Sequence, residues 1–245
     1  MLNKKIVETI LNAIERDEFC AYIQTIVDSK NFSVVGGEAL ARWEHPQQGV
    51  LGPSSFVEPL IQSGEISKLD FYMFEEVCKR QQIWQKQGRK ATLSCNFTRN
   101  TISDANFVKK IRSIMRKYPI NYKYIIIEIT EDTKELSSAT AYANIAQCKS
   151  LGLSIAIDDM GSGCSSMGDI RRYCVDVVKI DRSVLLGATT PQGVKRLKDI
   201  IDSAHAFGDR VVCEGVETIE HIHLLKSLGC DCFQGFYFGR PQKVI

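Results

Sequence analysis

From residue 91 onward the chain alternates short β-branched runs with longer stretches of helical period, and few folds accommodate that rhythm. The runs are ATLSCNF (91–97), YIIIEIT (124–130), LSIAIDD (153–159), VDVVKID (175–181), RVVCEGV (210–216) and DCFQGF (231–236). Helical stretches fall near 103–117, 139–151, 193–207 and 217–228. Such a series demands parallel strands joined by right-handed crossovers, because a parallel neighbour is reached only through a long connection. Two runs precede it, CAYIQTIV (20–27) and SVVGGEALARW (33–43), followed by a helical stretch near 66–87. Only Asp28-Ser29-Lys30-Asn31-Phe32 joins them, too short for a crossover, so they pair as a hairpin. Seven or eight strands in 245 residues imply an α/β fold, a closed (β/α) barrel with an irregular opening. The alternative is an open doubly wound sheet, but no GxGxxG follows any strand.

No Pro/Gly-rich linker or low-complexity tract interrupts this rhythm, so residues 1–245 read as a single domain. Thirty-one basic against twenty-nine acidic residues leave a net charge of +2, which advertises neither a nucleic acid polymer nor an anionic membrane. The N-terminal MLNKKIVETILNAIERDEF is amphipathic and charged, unlike a signal peptide, and no window of 18 apolar residues forms a membrane segment. Nine cysteines are an odd number, and Cys95 and Cys213 sit in apolar runs as small hydrophobes; a reducing cytoplasm is expected. The pairs Cys230/Cys232 and His221/His223 lack the second pair that a zinc site needs.

The functional signal is where polar residues fall. Strands buried on both faces should be continuously apolar. These carry Asn96, Glu128, Asp158, Asp181, Glu214 and Gln234 at or near their C-terminal ends, spaced 32, 30, 23, 33 and 20 residues apart, about one βα unit each. In a parallel barrel those ends share one mouth, where active sites are built. A lone carboxylate at a strand end reads as a helix N-cap or loop ion pair; six polar ends in succession do not. Gathering carboxylates costs several kcal/mol per charge unless cations accompany them. An oxygen-only set suits Mg²⁺ or Mn²⁺.

Period-two alternation adds detail. Gly36, Glu38, Leu40 and Arg42 share one face of the second strand, with Glu38 and Arg42 about 13 Å apart. One can hold a metal while the other grips an anion; a surface ion pair is the plainer role for Arg42. Lys179 shares a face with Asp181, and inside an apolar strand it stays charged only beside carboxylates, unless it reaches the rim. Asp158 and Asp159 face one site only if the chain turns, which Gly161 and Gly163 permit; an Asx turn is the competing reading. Two adjacent carboxylates can serve two ions in an in-line phosphoryl displacement.

At this point seven ordered segments resemble the EAL domain, a bacterial cyclic-di-GMP phosphodiesterase family: EALARWEHP, SCNFT, EITED, DDMGSGCSS, VVKIDRSV, VVCEGVET and GCDCFQGFYFGRP. The resemblance covers almost the whole chain. It implies a modified TIM (β/α)8 barrel with one antiparallel strand near the N-terminus. It also implies two Mg²⁺ or Mn²⁺ ions and hydrolysis of 3′,5′-cyclic diguanylate to linear pGpG. By matching position, Glu38, Asn96, Glu128 and Asp158 would ligate the first metal, and Asp158, Asp159 and Glu214 the second. Lys179 and Glu214 would orient and deprotonate the attacking water, supported by Asp181 and Glu217. Glu131 would brace the loop after Asp159, and Gln24, Leu40, Arg42 and Gln234 would contact the dinucleotide. A homodimer is implied, as are sensory or diguanylate-cyclase (GGDEF) domains upstream in a longer chain.

There are departures from the family pattern. Its YQP reads Ile23-Gln24-Thr25, and its AExSG reads Leu60-Ile61-Gln62-Ser63-Gly64. Met160 and Cys164 replace Phe and Tyr in the loop that couples the second metal to the dimer interface, changes expected to weaken packing there. They motivate an alternative: a catalytically weak or inactive domain serving as a cyclic-di-GMP receptor or protein-interaction module. An unrelated Mg²⁺-dependent barrel enzyme acting on a carboxylate explains the strand-end acids but not the seven segments.

Overall fold

The computed structural model describes residues 4–130, 139–162 and 167–243. It opens with α1 (Lys4–Glu15), β1 (Phe19–Asp28), β2 (Val34–His45), β3 (Gly49–Leu51), α2 (Val57–Ser63) and α3 (Ile66–Lys86). The middle of the chain forms β4 (Thr92–Thr98), α4 (Arg99–Ile102), α5 (Phe107–Met115), β5 (Ile125–Thr130), α6 (Ala139–Ser150) and β6 (Ser154–Met160). It ends with α7 (Met167–Tyr173), β7 (Val177–Ile180), α8 (Arg182–Gly187), α9 (Pro191–Ala206), β8 (Arg210–Cys213), α10 (Ile219–Ser227), β9 (Cys232–Gln234) and β10 (Gln242–Lys243).

Eight strands close a barrel in the order β1-β2-β4-β5-β6-β7-β8-β9, and β9 returns to β1. Every barrel pair is parallel except the two made by β1, which is antiparallel to β2 and to β9. The expected modified TIM barrel with its single antiparallel strand is what forms. Two glycines let β2 lie tightly between its neighbours: a Cβ on Gly36 would come within 2.3 Å of Thr92 Oγ1, and one on Gly37 within 2.5 Å of Ile23 Cγ2.

Most of the core lies outside the barrel, where outward strand residues such as Leu93, Phe97, Ile127, Ile155 and Val178 meet the helices. Inside is a second, small apolar cluster of Ile26, Val212 and Cys232, with Val35 and Val177 against it. These lie two residues along their strands from Gln24, Glu214, Gln234 and Lys179, so the period of two places a polar layer directly above an apolar plug. That stacking builds the mouth.

Five helices were not read from the sequence: α1, α2, α4, α7 and α8. α1 buries Val7, Ile10 and Ala13. Three strands are each three residues shorter than their apolar runs. The run at 210–216 ends at Cys213, because Gly215 turns the chain with φ +67°, and the run at 231–236 ends at Gln234. The run at 175–181 narrows to Val177–Ile180, its last residue serving as the N-cap of α8.

Candidate active site

At the C-terminal mouth Lys179 of β7 meets carboxylates from β2, β5, β6 and the residue after β8, with amides from β4 and β9 beside them. The lysine is 2% exposed. It stands 3.0 Å from Glu38 Oε2 and 3.3 Å from Asp158 Oδ1, and contacts Glu128 and Glu214 more closely. Glu38 is gripped from three sides: Asn96 Nδ2 donates to its Oε1 (2.8 Å), and Gln234 Nε2 (2.7 Å) and Lys179 donate to Oε2. Gln24, opposite Glu38 in the β1–β2 ladder, accepts a 3.4 Å bond from Gln234 and donates to Gly239 O.

Asp158 and Asp159 turn to one site. Asp159 has φ +53°, and the β6–β7 register slips between Ile157 and Met160. Positive φ is rare outside glycine, and Asp tolerates it better than most residues. Oxygens of Asp158, Asp159 and Glu214 lie within 4.8 Å of one another, as do oxygens of Glu38, Glu128 and Glu214. Two carboxylate triads thus share Glu214.

Burial sets the electrostatics. It works against the Lys179 charge, but Asp158, Glu128, Glu214 and Glu38 outweigh it and hold the ammonium well above lysine's usual range. Burial pushes the Glu128 carboxyl well up, with Glu38 adding to it. Burial also raises Asp158, against the pull of Lys179. Glu214 is raised to about 8, again chiefly by burial, with Asp158 and Glu38 pushing further. Glu38 alone is lowered: burial opposes its charge, but Lys179, Gln234 and Asn96 more than compensate. Among the described residues, Asn96 Oδ1 and Glu128 Oε2 are buried acceptors with no hydrogen-bond donor. A buried acceptor without a donor is costly, and an oxygen cation site relieves that cost; the donor set fits Mg²⁺ or Mn²⁺.

Two cavities flank this layer. One of about 240 Å³ is mostly apolar and lined by Leu40, Ala41, Val57, Ile61, Met73 and Asn96. The other, about 170 Å³, is lined by Gln24, Arg182, Glu214, Glu217, Gln234 and Phe236. Leu40 and Gln24 therefore reach cavities beside the acids. Arg42 lies partly buried, its guanidinium 5.8 Å from the Tyr22 ring centroid and bonded to Ala41 O (2.8 Å).

Asp181 is spaced like the others but oriented differently: its carboxylate accepts from Ser183 N–H (2.9 Å) as the α8 N-cap. Glu217 pairs with Arg182 Nη2 at 2.9 Å. Glu131 and Cys164 lie outside the described residues. Met160 is 2% exposed within the main core. Two residues of the mouth were not anticipated. Arg182 follows the Asp181 already noted, and its stem lies flat against Gly215, where a Cβ would come within 2.2 Å of Arg182 Cγ. Phe236, 44% exposed, rims the smaller cavity with the Arg240 guanidinium 4.2 Å over its ring.

Residues 7–241 match the EAL domain family. The bifunctional diguanylate cyclase/cyclic di-GMP phosphodiesterase MucR of Pseudomonas aeruginosa is 28% identical over 240 residues, which cover 97% of this chain and 35% of MucR. The cyclic di-GMP phosphodiesterase RocR of the same organism is 28% identical over 237 residues, covering 96% of this chain and 60% of RocR. The chain therefore spans roughly a third to three fifths of these relatives. A solved structure described as the PaMucR phosphodiesterase in a c-di-GMP complex superposes with a TM-score of 0.90 at 28% identity, covering 98% of both chains.

Proposed function

This chain belongs to the EAL domain family, and from that premise we propose that it hydrolyses one phosphodiester bond of 3′,5′-cyclic diguanylate to give linear pGpG, using two divalent cations. One observation carries the reading. Five carboxylates, Glu38, Glu128, Asp158, Asp159 and Glu214, meet around the single ammonium of Lys179, a formal excess of four negative charges that two divalent ions would balance. The unsatisfied oxygens of Asn96 and Glu128 support the same conclusion. The relatives' names and the c-di-GMP complex support the substrate.

Glu38, Asn96, Glu128 and Asp158 would hold one Mg²⁺ or Mn²⁺, and Asp158, Asp159 and Glu214 the other. Bound ions supply neutralisation of the phosphate and acidify an attacking water. Lys179 donates hydrogen bonds toward the water and the charge developing on phosphate. Glu214, poised by burial, accepts the water proton. Gln24 and Gln234 offer amides to the substrate. The cavity lined by Leu40 and Ile61 seats an apolar base face, and Arg42 stands within the same strand to grip phosphate. Asp181, Glu217 and Glu131 support the loops around this centre.

Turnover tests the reading. Purified protein with Mg²⁺ or Mn²⁺ converts cyclic diguanylate to pGpG, and Glu38→Ala does not. Tight binding of the dinucleotide without product would instead make the domain a receptor. The bifunctional relative supports linkage to a diguanylate-cyclase (GGDEF) domain in a longer chain; the homodimer, the cytoplasmic setting and a sensory domain rest on the family resemblance alone, and sedimentation of the chain with and without substrate tests the dimer.

A further inference from the structure

The net charge of +2 conceals a segregated distribution. Residues 77–127 hold twelve of the thirty-one basic residues and one of the twenty-nine acids, Asp104, so the remainder of the chain is strongly acidic. The fold concentrates much of this charge. The α3–β4 turn carries Lys86, Arg89 and Lys90, the end of α5 carries Arg112 and Arg116, and the turn into β5 carries Lys123; all six are exposed. None of the six pairs with a carboxylate among the described residues.

Two glutamines hold the basic turns side by side. Gln85 Nε2 donates to Asn121 O (3.0 Å) while Asn121 N–H donates to Gln85 Oε1 (2.7 Å). Gln81 Nε2 bridges Ala91 O (2.9 Å) and Tyr124 O (3.0 Å). Both turns precede parallel strands, β4 and β5, so they lie at the end of the barrel opposite the acidic mouth. Arg89 sits over the Trp84 ring at 5.9 Å and Lys123 over Tyr124 at 5.0 Å, and Ile83 beside them is 44% exposed.

We propose that this basic end of the barrel docks on an anionic lipid surface. Unpaired cations on turn tips, interleaved with aromatic rings and an exposed isoleucine, are the composition that favours a negatively charged interface. Docked this way, the barrel turns its mouth away from the lipid, so a soluble substrate keeps access. The total charge hides this because most acids lie elsewhere, and the four aspartates of this same end, Asp28, Asp176, Asp209 and Asp231, sit on β1 and before β7, β8 and β9, away from the β4 and β5 side that carries the cations.

Vesicle sedimentation tests the proposal on the whole chain. The protein should co-sediment with vesicles rich in phosphatidylglycerol at low salt, stay free of phosphatidylcholine vesicles, and be released by high salt. Reversing Arg89, Lys90, Arg116 and Lys123 to Glu should abolish binding. Reversing Arg171, Arg172, Lys195 and Lys198 to Glu changes net charge equally and should leave most of it. Should the first variant fold poorly, the milder pair Arg89→Gln and Lys123→Gln should weaken binding about fivefold per cation. No binding to anionic vesicles, equal loss in both quadruple variants, or retention by single-stranded RNA without lipid binding would overturn it.

Discussion

Lys179 Nζ lies 3.0 Å from Glu38 Oε2 although 141 residues separate the two in sequence. Their strands, β7 and β2, stand diametrically opposite in the eight-stranded ring, so the lysine spans the bore. The contact rests on a layer beneath that is filled by the apolar side chains of Ile26, Val212 and Cys232. One cation thereby gathers carboxylates from β2, β5, β6 and the loop after β8 into a single site.

Removing that cation leaves buried carboxylates facing one another. In chelator near neutral pH, Lys179→Met is expected to lower stability by about 3–5 kcal/mol, the usual cost of stripping one partner from a buried pair. The loss should shrink in acid, where the carboxyls take up protons. Turnover should fall on the order of a hundredfold or more. Thermal unfolding in chelator and initial rates with Mn²⁺ check the two effects separately.

The metal-free protein should become less stable as pH rises. Burial holds the Glu214 carboxyl at about 8 when folded, against the ordinary value of 4.5. Between those limits the folded state keeps a proton that the unfolded chain has released, so the stability this group contributes at low pH drains away upward through the window. Divalent ions bind only the folded, ionised site, and saturating Mn²⁺ should flatten or reverse the slope. Melting temperatures across that range, with chelator and with Mn²⁺, give the comparison.

Gly215 is where the loop after β8 can least tolerate a side chain. With φ +67° and a Cβ that would meet Arg182 Cγ at 2.2 Å, Gly215→Ala both strains the backbone and displaces Arg182. The displaced loop carries Glu214, so kcat should fall at least tenfold. Arg182→Ala, which loses only a partly exposed ion pair with Glu217, should fall less. Combining them removes the Arg182 Cγ and Cδ contacts but leaves its Cβ at 2.6 Å, so the clash is eased in part and the strain not at all, giving a loss smaller than the product of the two. Steady-state rates of the three variants decide this.

Filling the apolar cavity beside Asn96 should act on binding. Ile61→Trp crowds the space of about 240 Å³ that Leu40 and Ile61 line, so KM should rise well before kcat falls. A fall in kcat alone would assign the cavity another purpose.

The strand-end acids were legible because a parallel strand has no use for a polar residue on its inward face unless something needs it, and the βα spacing puts each at the same end. Asp181 follows that spacing and yet caps α8, since one residue beyond the end of β7 the chain has already turned into a helix. Spacing locates a residue along a strand; it does not say which way the first loop residue points. Arg182 escaped for the same reason, its position depending on the αL turn at Gly215 rather than on any periodicity. The short helices α7 and α8 were missed because six or seven residues hold too few turns for an apolar stripe to register. The basic end was invisible to a summed charge and appears only when the charges are placed on the fold.

Anomalous diffraction from crystals soaked in Mn²⁺ measures the central claim most directly. Two peaks should appear at the mouth, one bounded by Glu38, Asn96, Glu128 and Asp158, the other by Asp158, Asp159 and Glu214. A well-folded crystal with no peak there, or with manganese bound only elsewhere on the surface, would contradict it.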